Sequence, residues 1–325
     1  MEEQDATAAW NLFRFNWLLI AIMSAILSIG VLLTDFHMAP SGYLIACLVA
    51  APYGVFGYYN AVSPHRGNPR IAFSLTAIAQ LILILTVMTA ISYIATAANL
   101  PLMDATLLLL DRALGFDFRS YLNFINDRPW LVWMLAVSYR AIQWQVLLVV
   151  VALPLVGYHR RTAQFVCAFL LALMVTICVS SLVPAIGVYG VMNITGLDFP
   201  NIAGAGGFPG GYADTLRIAP LLRDGTLRTL DFFEMAGVLT FPSFHAISAI
   251  LYIWAFWPMR WLRPFNLFCN GAMIVSTPVG GGHFLIDVIA GIAVAASCIY
   301  ATRCLDARIA DCRSCARSGS PLQVQ

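Results

Sequence analysis

Apolar residues in this chain run continuously over long stretches and do not alternate with polar ones. Eight such runs stand out, at roughly 17–34, 41–59, 71–97, 130–157, 163–189, 242–258, 265–282 and 284–302. A helix needs about 20 apolar residues to cross a bilayer. In lipid the backbone must satisfy its own hydrogen bonds, which leaves helices or closed barrels. Barrel strands alternate apolar and polar residues, so the pattern predicts an all-α polytopic membrane bundle of about eight transmembrane helices. No fixed-period repeat divides the chain.

Arginines mark the turns. Arg66 and Arg70 follow the second run, Arg160 and Arg161 the fourth, Arg260 and Arg263 the sixth, and Arg303, Arg308, Arg313 and Arg317 the eighth. With eight spans all of these fall on one side, together with Arg14 and the N-terminus. Cytoplasmic segments carry the excess of basic residues, so both termini are expected there, in a cytoplasmic membrane of bacterial type. The segments near 35–40, 98–129, 190–241 and 282–283 then face outward. The first long one, PLMDATLLLLDRALGFDFRSYLNFINDRPW, is too short in apolar residues to span and predicts a helix lying at the interface. The second, Gly190 to Thr240, is glycine-rich, with GAGGFPGGY at 204–212. The tail beyond Arg303 is polar and is expected to be mobile.

Composition closes off other classes. Of 325 residues 60% are hydrophobic and 10% charged, with a mean hydropathy of +0.80, whereas soluble domains carry about 25% charge. A soluble enzyme, a nucleic-acid binder and a disordered chain are excluded. Every basic residue is arginine, so no lysine Schiff base or lysine phosphate clamp is available. The eight cysteines lie mostly inside apolar runs and read as small core residues, not as a disulfide framework. Cys304, Cys312 and Cys315 fall short of the four ligands of a structural zinc site. Cys298 and Cys304, near the inner boundary, could carry acyl chains. The acidic start lacks a small-residue cleavage site, so no removable signal peptide is expected.

Two histidines carry the candidate chemistry. His245 occurs in GVLTFPSFHAISA, where Pro242 and Ser243 suit the start of a helix. A helix N-terminus offers unpaired N–H groups and partial positive charge, a seat for phosphate. Read alone, the segment could equally be a cap with a histidine at headgroup level. His283 occurs in STPVGGGHFLIDVIAGI, four residues before Asp287. That spacing puts both on one helix face. A carboxylate one turn inside an apolar helix is costly and implies function. Asp287 can accept an imidazole N–H and leave the other nitrogen outward as a nucleophile. Gly280, Gly281 and Gly282 clear space beside it. The alternative is an intrahelical polar pair beside a flexible turn. Both histidines are expected at the outer boundary.

FPSFH and GGGHFLID resemble the second and third signature motifs of the type 2 phosphatidic acid phosphatase superfamily. Ser276, His283 and Asp287 fit the spacing of the third motif, with Thr277 where an arginine is expected. The first motif begins with lysine, which this chain lacks. These departures resemble the branch that contains inositol phosphorylceramide synthase, as does DRALGFDF at 111–118. The resemblance covers about residues 100–302 and implies a six-helix core. The divisions it suggests are residues 1–97 (two accessory helices and the first core helix), 98–302 (catalytic region) and 303–325 (cytoplasmic tail). It implies that His283 attacks phosphorus to form a phosphohistidine, Asp287 orients it, and His245 protonates the leaving alkoxide and then serves as base. Ser243 and nearby N–H groups would hold phosphate oxygens, with no metal and no cofactor.

Phosphoryl transfer still needs cations. Arg140, in VSYRAIQWQ within the fourth run, is the first choice, with Arg112, Arg217, Arg223 and Arg228 as outer-face candidates. The expected partners are a phospholipid or lipid phosphate, a lipid alcohol acceptor and the bilayer, with no nucleic acid. The resemblance favours transfer of a phospho-headgroup between lipids. Hydrolysis by water is the alternative. A transporter using Asp287, Arg140 and His283 as a polar path, and a non-catalytic relative, are the competing classes.

Overall fold

The computed structural model describes residues 2–63, 67–205 and 210–318. Its long helices are α1 (Glu2–Leu33), α2 (Pro40–Val62), α3 (Pro69–Thr96), α6 (Pro129–Leu155), α7 (His159–Leu182), α11 (Phe244–Phe256), α12 (Arg263–Gly281) and α13 (Leu285–Ser318). Shorter helices fill two of the connections: α4 (Asp104–Ala113) and α5 (Phe118–Asn126) in one, α8 (Val188–Val191), α9 (Pro200–Ala203) and α10 (Gly210–Arg223) in the other. The chain is an all-α polytopic bundle. Its strand content among the described residues is one two-residue parallel pairing, His37–Met38 with Thr229–Leu230.

Local chemistry sets the helix starts. Proline opens α2, α3 and α6, where its missing N–H costs nothing. Asn68 caps α3 by accepting from the Arg70 amide. Asp117 caps α5 by accepting from Arg119 and Ser120. α4 and α5 are too short to span, as expected for an interfacial segment. Asp104 and Asp111, however, are buried in this structure.

Among the described residues six helices are long and apolar enough to cross a membrane, lying within α1, α2, α3, α6, α7 and α13. The runs at 242–258 and 265–282 differ from expectation. α11 is a 13-residue apolar helix, and α12 carries Asn266, Asn270, Ser276 and Thr277 as buried polar residues. α11 packs against α12 and α13, and α12 packs against α6 while exposing Phe265, Phe268 and Val275. Some of their polar groups are paired there: Asn270 Nδ2 donates to Gln145 Oε1 of α6 at 3.0 Å. Two other differences concern the ends. α1 begins at Glu2, well before the first apolar run, and α13 continues past Arg303 to Ser318. Both extensions lack glycine and proline, so nothing in them stops a helix. Arg66, Arg313, Arg317 and the Cys312–Cys315 pair lie outside the residues whose side chains are described.

One large core unites α1, α3, α7, α11 and part of α13, around Phe13, Phe73, Phe165 and Tyr252. Gln80 of α3 is fully buried within it. It donates to the Phe13 carbonyl at 2.8 Å and accepts from Asn16 Nδ2 at 3.2 Å, joining α3 to α1. Gln80→Leu strands the Asn16 amide in an apolar setting. It is expected to destabilise the detergent-solubilised protein by about 1–3 kcal/mol, read as a lower midpoint in thermal unfolding. An unchanged midpoint would show that this bridge is dispensable.

A second core, at one end, gathers Phe118, Leu122, Leu135, Tyr139, Val188, Tyr189, Tyr212 and Phe284. Segments expected to face outward approach one another at this end, with Asn201 Nδ2 donating to Asn126 O at 2.9 Å. His37 N donates to Arg228 O, Met103 N to Pro184 O, and Val188 N to Gly282 O.

Candidate active site

Both histidine motifs are at that end, and a backbone bond ties them together. The Ser243 amide, just before α11, donates to the Asp287 carbonyl in the first turn of α13 at 3.1 Å. Close approach of the two helices depends on Gly291. A Cβ there would lie 2.6 Å from the Ser243 carbonyl oxygen. Ser243 is the N-cap of α11, its hydroxyl accepting from the Ala246 amide at 3.4 Å, and it is fully buried. Pro242 precedes the cap and so is not the first helical residue. His245 follows in the first turn, as the sequence indicated.

His283 is not on α13 itself. α12 ends at Gly281, and Gly282 takes a left-handed conformation (φ +64°), in which a Cβ would lie 2.7 Å from the Tyr212 ring and 2.8 Å from the Tyr189 ring. The link Gly282–Phe284 then leads into α13 at Leu285. The imidazole Nδ1 lies 3.2 Å from Asp287 Oδ2, which also accepts the Phe284 amide at 3.0 Å. The second contact is half of a capping box. Asp287 thus orients the ring and closes the first turn with the same oxygen. His283 is 5% exposed and Asp287 0%. Gly281 makes room for the ring: a Cβ there would overlap the imidazole, lying 2.7 Å from Nε2, and would sit 2.9 Å from the Tyr139 hydroxyl. The edge of the ring not used by Asp287 therefore packs close against this glycine.

Both histidines line one cavity of about 680 Å³. Its polar part is formed by His245, His283, Tyr139, Arg140, Gln143 and Asp214, and its apolar part by side chains of α3, α6 and α7 such as Leu85, Met88, Val146 and Phe169. The Tyr139 ring stacks on His245, with centroids 3.9 Å apart and planes 13° from parallel. The lining thus combines titratable and polar groups with apolar side chains.

The arginines separate by place. Arg140 lines the cavity and is accessible, not buried among helices. Arg217 is exposed on α10 and pairs at 3.3 Å with Asp214, itself a cavity residue. Arg223 donates to the Leu100 carbonyl at 2.8 Å and lines a different, smaller pocket beside Pro184 and Ile186. Arg228 donates to the Leu222 and Leu227 carbonyls. Arg112 is exposed at the end of α4. Ser243 does not line the cavity. The Thr277 hydroxyl, where the resemblance expects an arginine, donates to the Met273 carbonyl of its own helix at 2.9 Å.

Several site residues carry no obvious sequence signal. Tyr139 is visible only as a neighbour of Arg140. Asp111 accepts the Leu285 and Ile286 amides at 2.7 and 2.9 Å, and Asp104 accepts the Ile186 and Gly187 amides at 3.0 and 2.7 Å. Burial pushes both carboxyls up from the ordinary carboxylate range, and the amide donors pull them partly back. Among the described residues no group of three or more His, Cys, Asp and Glu is placed to hold a metal.

A family model of the PAP2 superfamily matches residues 105–301. No curated protein and no solved structure matches the chain.

Proposed function

The chain belongs to the PAP2 superfamily, and from that premise we propose that it is an integral membrane phosphotransferase that moves a phospho-headgroup from a phospholipid to a lipid alcohol. A phosphatase or phosphotransferase activity on lipid phosphates is the family's type of chemistry. The observation that supports the finer reading is the shared cavity, which is lined by two histidines from distant motifs together with polar and apolar side chains. A lipid phosphoester likewise combines a polar head with an apolar chain.

In this scheme His283 Nε2 attacks phosphorus. The P–N bond forms, the P–O bond to the leaving alkoxide breaks, and His245 gives that oxygen its proton. Asp287 holds the Nδ1 proton and offsets the positive charge on the phosphorylated ring. The acceptor hydroxyl then gives its proton to His245, its oxygen attacks phosphorus, and His283 is released. Arg140 is the cation best placed for the non-bridging oxygens, with Arg217 at the rim beside Asp214. Arg112 and Arg223 act on phosphate in this scheme only through rearrangement of their surroundings, and the Ser243 hydroxyl acts by setting the start of α11. The polyarginine turns at the opposite end, where Arg160, Arg161 and Arg303 share a pocket, favour a cytoplasmic position for both termini and an outward-facing site.

Purified protein supplied with a phospholipid and a lipid alcohol is expected to yield a new lipid that carries the donor's phospho-headgroup, identified by mass spectrometry. Release of the phospho-headgroup or free phosphate to water, with acceptor present and no new lipid, would replace transfer by hydrolysis. Neither product from any phospholipid class would overturn the enzymatic reading.

A further inference from the structure

We propose that α4 is a clamp that sets the position of the transfer centre, with Asp111 the positioning residue for His283 and Asp104 holding the facing segment. The proposal rests on the phosphotransfer reading above and adds a residue to it. The link Gly282–Phe284 is non-helical, and the proposed nucleophile sits in its middle. Asp287 fixes the ring, but Asp287 belongs to the first turn of α13, so the ring is only as well placed as that turn.

The first amides of a helix have no partner within it. In α13 the Leu285 and Ile286 amides are both taken by one carboxylate, Asp111, which is 1% exposed and reaches them from a segment more than 170 residues earlier. The Phe284 amide is taken by Asp287. On the other side of the link, the Gly282 carbonyl accepts the Val188 amide at 2.8 Å. The two amides just before Val188, those of Ile186 and Gly187, are held by Asp104. The close packing of this segment leaves no slack, since a Cβ on Gly187 would lie 2.8 Å from the Gly282 carbonyl oxygen.

Asp104 and Asp111 are seven residues apart, two turns of one helix, and so lie on one face of α4. One ten-residue helix therefore grips both segments that bracket His283. Burying two carboxylates is costly, and among the described residues neither forms an ion pair. Nearby hydrophobic side chains would support the fold without that cost. Two fixed acceptors on a helix N-terminus instead fix its position and direction, which is what an in-line attack on phosphorus needs.

The test is Asp111→Asn in the full-length protein, in detergent or vesicles. The substitution keeps the size and one acceptor but turns an N–H donor toward an amide. Turnover of the phospholipid is expected to fall by about 30-fold or more, with KM changed by less than about threefold. Amide hydrogen exchange over 282–288 is expected to accelerate by about tenfold, with α11 unchanged. Asp117→Asn, which alters only the exposed cap of α5 on the same segment, should leave turnover as it was. A folded Asp111→Asn protein with normal turnover, or one whose loss merely follows a general rise in exchange across the bundle, would overturn the clamp. If the unaltered protein transfers no phosphorus group, the functional reading fails, and the exchange experiment still decides the clamp. Unchanged protection of 282–288 in the variant would then refute it.

Discussion

His283→Ala is expected to reduce turnover of a lipid phosphoester by at least about a thousandfold, because in the proposed scheme it removes the atom that bonds to phosphorus. Residual activity from binding and from Arg140 alone cannot replace a covalent step. The substitution also withdraws one of the two donors to Asp287 Oδ2, leaving the Phe284 amide. A buried carboxylate with fewer donors destabilises the protein by about 1–3 kcal/mol. His283→Gln, which can still donate to Asp287, keeps the two effects apart. It should fold like the parent and be equally inactive. Turnover within a few fold of the parent in either folded variant would remove His283 from the chemistry.

Gly281→Ala is expected to produce a folded protein with turnover lowered by about a hundredfold, since a misplacement of about 1 Å at a reacting group has that effect. The reason is steric and local. The added methyl group would overlap the His283 ring and crowd the Tyr139 hydroxyl, and both are the far ends of side chains that can move without unfolding α12. The ring would therefore leave its place against Asp287. Circular dichroism and the thermal midpoint should stay close to those of the parent while product formation falls. A variant with unchanged turnover would mean that the place of the His283 ring beside this glycine does not matter to the reaction.

What could be read in advance depended on the distance over which each feature is encoded. Long apolar runs announced α1, α2, α3, α6, α7 and α13, because spanning a bilayer is a property of about 20 adjacent residues. The runs that became α11 and α12 looked similar. Asn266 and Asn270 interrupt the second, and they are explained only by partners on other elements, such as Gln145 of α6. The starts and ends of the terminal helices were misjudged because hydropathy marks membrane depth, not helix length. EEQDATAAW is a good helix former outside any apolar run. That His245 and His283 line one cavity and that Asp287 contacts His283 was legible because each motif packs its polar residues into four or five positions, whereas Ser243, read as a phosphate ligand, caps α11. Arg140 was legible as a lone cation in an apolar run. Asp104, Asp111, Tyr139 and Asp214 were not. An aspartate whose amide partners lie 82 or 174 residues away reads in sequence as ordinary polar punctuation. Arg217 and Arg223, equally plausible on the page, are separated from Arg140 only by where the long outward segment folds back.

The central claim is that phosphorus passes through His283. It is tested most directly by rapid acid-free quenching of the protein with a phospholipid labelled at phosphorus, in the absence of any alcohol acceptor, followed by peptide mass spectrometry. The expected result is an acid-labile, base-stable phospho-headgroup adduct on the peptide containing His283, absent from His283→Gln and lost when acceptor is added. Product formation with no labelled protein at any time, or label on another residue, would contradict it.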